Sequence, residues 1–264
     1  MTISLMGGIF TNGHPLEKIC GADPLPSQRE KINSLFGVEV HENNDEAVAN
    51  ADIILLAVKP QMMESSVSSI AVATQSTQPL FISIAAGIRV SAITSWLKRD
   101  SAIVRIMPNT PSLIQAGAAA LYANNMATEE QKEIAETIIR SVGTAIWVEN
   151  ESLLDTVTAL SGSGPAYFFL LMEVLEKAAT GLGLNQAQAR LLTLETAIGA
   201  AKMAIESELD VMELRQQVTS PGGTTEQALD VLKRGNIEKL FQEALTAAHQ
   251  RSKELADTFG GAGS

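Results

Sequence analysis

Residues 53–61 read Ile-Ile-Leu-Leu-Ala-Val-Lys-Pro-Gln. The first six are apolar without alternation, which is typical of a strand that is covered on both faces of a sheet. Such a strand belongs near the centre of a parallel sheet, and the proline fixes the turn that follows it. This stretch therefore predicts an α/β fold built on a parallel sheet.

Other strand-like runs occur on both sides of this segment. They occupy 18–21, 80–85, 102–107, 118–122 and 145–148. Their alternation with helical stretches indicates βαβ units between residues 17 and 149. From about residue 151 the runs stop, and helical periodicity follows over 166–182, 186–206 and 236–256. We therefore expect two domains, 1–150 and 151–264, of which the second is all-α.

The composition limits the classes of function. A single cysteine, Cys20, excludes an intramolecular disulfide and a cysteine-built metal site, and the scattered histidines add no ligand spacing, so no metal is expected. A net charge of -11 disfavours a nucleic-acid partner. No apolar run approaches the roughly 18 residues of a membrane span, and no signal peptide is recognisable. These features favour a cytoplasmic protein that acts on a small molecule.

The helical half predicts self-association. Residues 186–206 are rich in small side chains that let helices approach closely, namely Ala197, Gly199, Ala200, Ala201 and Ala204. Asn185 and Gln188 predict a capping box at the start of this helix. A helical half with so much apolar and small surface is expected to share its core with a second subunit. We therefore expect at least a homodimer.

Three strand ends are chemically unusual. They carry Lys59-Pro60-Gln61, Ala86-Gly87 and Pro108-Asn109-Thr110-Pro111. Ligands of open α/β sheets bind beyond the carboxyl ends of the strands, where alanine and glycine let a flat cofactor ring lie against the backbone. Each strand end alone is explained equally well by strand termination. The three together, in this order, indicate a nucleotide cofactor site.

The stretch 219–225, Thr-Ser-Pro-Gly-Gly-Thr-Thr, predicts a tight turn that leads into a helix. Thr224 is then the expected N-cap, with Gln227 at the capping-box position. Backbone N–H groups at such a helix start bind a carboxylate without a basic side chain, which suits an amino-acid-like substrate. An ordinary helix cap is the alternative interpretation.

Five motifs follow one another in order along the chain. They are Ala-Val-Lys-Pro-Gln at 57–61, Ser-Ile-Ala-Ala-Gly at 83–87, Arg-Ile-Met-Pro-Asn-Thr-Pro at 105–111, Ala-Leu-Ser-Gly-Ser-Gly-Pro-Ala-Tyr at 159–167, and the loop at 218–225. Over essentially the whole chain they resemble the pyrroline-5-carboxylate reductase family. The resemblance implies a Rossmann-like domain followed by a helical dimerisation domain, with assemblies of dimers such as a decamer. It also implies reduction of 1-pyrroline-5-carboxylate to L-proline, the last step of proline biosynthesis, by hydride transfer from NAD(P)H.

The resemblance also implies roles for individual residues. Thr225 would hydrogen-bond the ring nitrogen of the substrate, and Thr225 and Lys59 are the expected catalytic residues. The expected cofactor-binding residues are Asn44, Ala57, Val58, Lys59, Pro60, Ala85, Ala86, Gly87 and Asn109. The expected substrate-binding residues are Glu151, Ser220, Gly222, Gly223, Thr224 and Thr225. For Glu151, a favourable interaction with a helix dipole is an equally good explanation.

The first residues depart from the family pattern. The family's nucleotide domain opens with a strand and a G-x-G-x-x-[GA] loop, whereas residues 1–8 align with the helix after that loop. We therefore expect the first strand and the phosphate loop to be missing. Their loss would leave backbone groups unpaired at the centre of the sheet and remove the main pyrophosphate site. A truncated or wrongly started reading frame is the expected explanation, and a real, shortened protein is the alternative.

The expected cofactor is NADPH or NADH. Asp23 favours a free ribose 2′-hydroxyl and hence NADH, whereas Ser27 and Arg29 are placed to hold a 2′-phosphate.

Two other functions stay open. One is a two-domain dehydrogenase acting on a 3-hydroxy acid, which would need a catalytic lysine in the helical half. The candidates are Lys177, Lys202, Lys233, Lys239 and Lys253. The other is a dimer-forming relative with impaired cofactor binding.

Overall fold

The computed structural model describes residues 2–11 and 15–260. The chain divides into two compact units, Met1–Ser163 with Ala247–Ser264, and Gly164–Thr246. The first unit contains the sheets, and the second is helical. Residues 151–163 thus belong to the sheet unit, and the domain boundary at 150/151 stays a prediction.

Strands and helices alternate through the first unit. Its strands within the described residues are β1 Cys20–Ala22, β2 Glu39–His41, β3 Ile53–Leu56, β4 Leu80–Ser83, β5 Ile103–Met107, β6 Gly117–Ala123 and β7 Gly143–Trp147. Its helices there are α1 Thr2–Thr11, α2 Pro26–Phe36, α3 Asn44–Val48, α4 Pro60–Ile70, α5 Val90–Leu97, α6 Glu129–Arg140 and α7 Leu153–Val157. Short 3-10 helices cover Leu16–Lys18 and Thr110–Ile114, and a π-helical turn covers Thr158–Gly162.

The fold class predicted from the sequence is confirmed. All six predicted strands are present, with ends shifted by a few residues. The short strand β2 was not predicted, because Glu39-Val40-His41 offers a single apolar residue and no alternating pattern to detect. Residues 2–11 form a helix, as the alignment of the first residues with a helix predicts.

The strands form two separate sheets. β3, β4 and β5 are parallel neighbours, β6 runs antiparallel to β5, and β7 runs parallel to β6. β1 and β2 pair with each other in parallel. Within residues 2–11 and 15–260, no strand pairs with the second edge of β1 or of β3. β3 is therefore an edge strand of the described sheet, and the prediction that it lies near the centre is wrong. Its residues are all apolar because alternate side chains face the two core clusters on opposite faces of the sheet. The parallel part of the larger sheet is therefore β3–β5, where the cofactor motifs follow the strands.

The core lies on both faces of the larger sheet. On one face Phe81 packs with Met63 of α4 and Ile93 of α5. On the other face Ile82 packs with residues of α1 and α6. Because adjacent residues of β4 are fully buried on opposite faces, this strand is covered on both sides, and each such large side chain stabilises the fold by roughly 1.5–3 kcal/mol.

The second unit has little core of its own. It contains α8 Gly164–Gly181, α9 Gln186–Glu206, α10 Val211–Gln217, α11 Thr224–Arg234 and the start of α12 Ile237–Phe259, whose last turns belong to the first unit. The predicted capping box of α9 is confirmed, because Asn185 Oδ1 accepts from the Gln188 N–H at 2.9 Å. Between 164 and 246 only Gly164 and Ala189 are buried. No helix among the described residues has the length and apolar character needed to cross a bilayer.

The reactivity of the Cys20 thiol provides a test of the two-stranded sheet formed by β1 and β2. Partial burial raises the pKa of its thiol, and the carboxylate of Glu39, the register partner on β2, raises it further. A raised pKa reduces the thiolate fraction at a given pH, so we expect alkylation by iodoacetamide to be slower than that of free cysteine at pH 8. Glu39→Gln should speed the reaction, whereas Glu42→Gln should not. Equal rates for both variants would contradict the effect of Glu39 on the pKa of the Cys20 thiol.

Candidate cofactor and substrate site

The predicted cofactor motifs lie at one edge of the sheet. Because β3, β4 and β5 are parallel neighbours in that order, their carboxyl ends meet at the same edge. Residues 57–60, 85–87 and 108–109 follow these three strand ends directly. The structure therefore brings together most of the residues predicted to bind the cofactor, in the place where open α/β sheets bind ligands.

The end of β3 leads into the start of α4. Lys59 occupies the N-cap position in an extended conformation, and Pro60 occupies the first turn. The side chain of Lys59 is exposed and forms no ion pair with any residue in the described ranges. The positive end of the helix dipole and this ammonium group thus lie together at the sheet edge, which suits an anionic group of a ligand.

The end of β4 leads into a tight turn. The Ala85 N–H donates to Ser83 Oγ at 3.4 Å, and Gly87 has a φ of 74°. A Cβ atom on Gly87 would lie 3.3 Å from backbone atoms of Leu255 and Ala256 in α12. Glycine is required here on two counts, because the backbone is left-handed and α12 lies close to it.

Gly87→Ala should destabilise the protein and weaken binding of NADPH or NADH. The left-handed backbone alone costs an alanine about 1–2 kcal/mol, and the contact with α12 adds to that. Gly37→Ala is a matched control, because Gly37 has a φ of 70° and a Cβ atom added there would meet nothing within 4 Å. Thermal unfolding and quenching of dinucleotide fluorescence measure both effects. Equal losses of stability, or weaker dinucleotide binding in Gly37→Ala as well, would contradict this interpretation of the turn.

The end of β5 is tied to two other segments by Asn109. Its Nδ2 donates to the Ser161 carbonyl at 3.1 Å, and its Oδ1 accepts from the Ala118 N–H at 3.0 Å. Asn109 is buried. Both ends of the amide are therefore used within the protein, and a direct contact of Asn109 with the cofactor stays a prediction.

The residues predicted near the adenosine ribose lie around β1 and α3. Asn44 begins α3 and donates from Nδ2 to Ser69 Oγ at 3.3 Å. Asp23 Oδ1 accepts from the Leu25 N–H at 2.9 Å. Arg29 donates to the carbonyl of Asp23 at 2.9 Å and pairs with Glu42 at 3.4 Å. Arg29 is therefore held beside Asp23, so this geometry selects neither NADH nor NADPH.

Two arginines and two carboxylates form a cluster of four charges in the first unit. Arg105 NH1 donates to Glu151 Oε1 at 2.7 Å, and Arg89 pairs with Asp155 at 2.5 Å. Glu151 Oε1 also accepts the Val90 N–H at 2.7 Å, at the start of α5. Glu151 thus supplies a carboxylate to the start of α5, whereas the dipole explanation concerned the start of α7, the helix that follows Glu151 in the sequence. A role for Glu151 in substrate binding stays a prediction.

Arg105 is the most deeply buried arginine of this cluster. Burial lowers the pKa of its guanidinium, and the carboxylate of Glu151 acts in the opposite direction by stabilising the charged form. Its Nε is buried without a hydrogen-bond partner among the described residues. Arg89, Arg105 and Asp155 are not among the residues predicted from the sequence. An arginine inside the apolar strand Ile103–Met107 is the signal that points to such a cluster.

The predicted substrate loop lies in the second unit. Thr224 is the first residue of α11 and Gly223 is its N-cap, so the prediction that Thr224 is the N-cap is wrong. The reason is that the Gly222 N–H donates to Glu226 Oε2 at 2.7 Å, so a carboxylate rather than a threonine hydroxyl holds the turn. Gly222 has a φ of 73°, and the Gly223 N–H donates to the Ser220 carbonyl at 3.0 Å.

The backbone N–H groups of Thr224 and Thr225 lie in the first turn of α11, where helices leave donors without intrahelical partners. Thr225 is half-buried. The loop therefore offers backbone donors and a hydroxyl, which together suit a small carboxylic acid. No group of His, Cys, Asp and Glu within the described ranges has the arrangement of a metal site.

Comparison with known proteins relates the chain to one family of enzymes. Residues 151–255 match the family model described as pyrroline-5-carboxylate reductase dimerisation, and residues 1–87 match that of the coenzyme F420-dependent NADP oxidoreductases. Pyrroline-5-carboxylate reductase of Pseudomonas aeruginosa is 47% identical over 260 residues, which cover 98% of this chain and 95% of that protein.

Solved structures agree with this assignment. The structure of a pyrroline-5-carboxylate reductase from Coxiella burnetii matches with a TM-score of 0.92 and 44% identity. The match covers 97% of this chain and 95% of the Coxiella chain. The structure of the Plasmodium falciparum pyrroline carboxylate reductase with NADP bound matches with a TM-score of 0.86 and 28% identity. The match covers 97% of this chain and 94% of the Plasmodium chain. With the motifs at three strand ends and the loop before α11, these similarities show that the chain belongs to the pyrroline-5-carboxylate reductase family.

Proposed function

We propose that this protein reduces 1-pyrroline-5-carboxylate to L-proline with NADPH or NADH, as the last step of proline biosynthesis. The observation that carries the proposal is the similarity to pyrroline-5-carboxylate reductases over nearly the whole chain. The sheet edge supports it independently, since the motifs at 57–60, 85–87 and 108–109 follow three neighbouring strand ends, where open α/β sheets bind ligands. The start of α4 beside Lys59 suits the anionic part of a dinucleotide.

The protein's own residues hold and orient the substrate. The N–H groups at the start of α11 bind its carboxylate, and the Thr225 hydroxyl hydrogen-bonds the ring nitrogen. A bound nicotinamide would supply the hydride that the C=N carbon receives, while the ring nitrogen either enters protonated or takes its proton from water. Thr225 stabilises the changing charge at the nitrogen rather than acting as a strong acid, because a hydroxyl is a poor proton source at neutral pH.

The second unit supports the proposal of a homodimer. Apolar side chains with more than half of their surface exposed occur along several of its helices, among them Phe168, Phe169, Leu170, Ile205, Val211 and Val231. A unit with two buried residues between 164 and 246 gains a core when a second copy covers these side chains. We infer that the helical units of two chains pack together and that larger assemblies, such as a decamer, are built from such dimers. A cytoplasmic location stays a prediction.

An assay with two substrate classes tests the proposed reaction. We expect oxidation of NADPH or NADH when 1-pyrroline-5-carboxylate is added, and no reduction of NADP⁺ or NAD⁺ with 3-hydroxy acids. Oxidation of a hydroxy acid without action on the pyrroline would favour a 3-hydroxy-acid dehydrogenase instead. Binding of neither dinucleotide in calorimetry would favour a non-enzymatic relative.

A further inference from the structure

Asp155 connects two distant segments of the first unit. It is 3% exposed, and its two oxygens have different partners. Oδ2 accepts from Arg89 and Oδ1 accepts from the Ser252 hydroxyl at 2.7 Å. Ser252 is itself 4% exposed and lies in the last turns of α12. A buried carboxylate with both oxygens hydrogen-bonded holds its partners in fixed positions.

The same end of α12 also contacts the turn after β4. The backbone of Leu255 and Ala256 lies against Gly87, so close that a Cβ atom on this glycine would be 3.3 Å from it. Arg89 follows this turn after the fully buried Ile88. The turn is thus held at two points, by packing of α12 against Gly87 and by hydrogen bonds from Arg89 through Asp155 to Ser252.

We propose that Ser252 and Asp155 are positioning residues for the nicotinamide dinucleotide, because they fix the turn of Ala85, Ala86 and Gly87 against the end of α12. The proposal rests on the proposed function, since it takes this turn as part of the cofactor site. Both side chains are buried within the first unit. Each acts through Arg89, which has 24% of its side chain exposed and lies beside the turn.

Removal of one hydroxyl tests the proposal. In Ser252→Ala we expect faster hydrogen exchange of the backbone amides of 85–90 in the free protein, because the turn loses one restraint. We also expect dissociation constants and KM values for NADPH or NADH to rise about fivefold, as for the loss of one hydrogen bond, with the KM for 1-pyrroline-5-carboxylate unchanged. Ser252→Thr keeps the hydroxyl and should remain closer to the parent protein in both measurements.

Thr258→Ala is the matched control. Thr258 also lies on α12, but it is exposed and its hydroxyl donates to the Glu254 carbonyl of the same helix. We expect no change in this variant. Unchanged exchange at 85–90 or unchanged dinucleotide binding in Ser252→Ala would overturn the proposal, and so would the same changes in Thr258→Ala. If the parent protein binds neither dinucleotide, the proposed function fails, while exchange at 85–90 still decides whether Ser252 holds the turn.

Discussion

Thr225→Ala is expected to lower kcat/KM for 1-pyrroline-5-carboxylate by about a hundredfold, in the range seen when a donor that stabilises developing charge is removed. Thr225 is half-buried at the start of α11, and its hydroxyl has no hydrogen-bond partner in the described residues, so this group is available to a ligand. Because the charge at the substrate nitrogen changes during hydride transfer, the loss should affect kcat more than KM. Steady-state kinetics at a fixed, saturating dinucleotide concentration measures the separate effects on kcat and on KM.

Two further variants separate the hydroxyl from the shape of the side chain. Thr225→Ser retains the hydroxyl and should keep most of the activity, whereas Thr225→Val retains the shape and should behave like Thr225→Ala. Thr246→Ala removes an exposed hydroxyl that bonds within α12 and should leave the kinetics unchanged. A small effect in Thr225→Ala, or full activity in Thr225→Val, would show that Thr225 has no direct part in the reaction.

The fold could be predicted from the sequence where one local pattern decides the structure. The uninterrupted apolar run at 53–58 predicted the strand β3, though not its edge position, and the pair Asn185 and Gln188 predicted a capping box. β2 could not be predicted, because a strand of three residues with one apolar side chain is formed by pairing with β1 rather than by its own pattern.

The candidate site could be predicted only in part, because some of its contacts are set by tertiary packing rather than by a local pattern. The residues after β3, β4 and β5 are recognisable because topology alone brings them to one edge. Asp155 and Ser252 are 97 positions apart, and nothing local to either residue indicates that they meet. Residue type predicts Thr224 as the cap of α11, whereas the carboxylate of Glu226 accepts a hydrogen bond from the Gly222 N–H and holds the turn. Contacts set by tertiary packing are thus the part that sequence patterns do not contain.

The largest expected effect on stability is that of Glu151→Ala. The carboxylate of Glu151 pairs with Arg105, whose side chain is 5% exposed, and accepts the Val90 N–H. Its removal leaves a buried guanidinium without its partner. Breaking a buried ion pair costs about 3–5 kcal/mol. Because Glu151 is itself partly exposed, we expect a loss of stability on the order of 3 kcal/mol. Chemical denaturation measures the loss, and Glu149→Ala, which removes an exposed carboxylate nearby, should cost little.

A double variant identifies the cause of that loss. In Glu151→Ala combined with Arg105→Met the unpaired guanidinium is gone, so the double variant should be more stable than Glu151→Ala alone. Additive losses would show that the pair is not coupled. Kinetic measurements decide whether Glu151 is structural or contacts the substrate. Glu151→Gln keeps an oxygen acceptor for both donors. If Glu151 only holds the strand β5 and the start of α5, this variant should largely retain the KM for 1-pyrroline-5-carboxylate. A stable Glu151→Ala protein with a strongly raised substrate KM would instead place Glu151 in contact with the substrate.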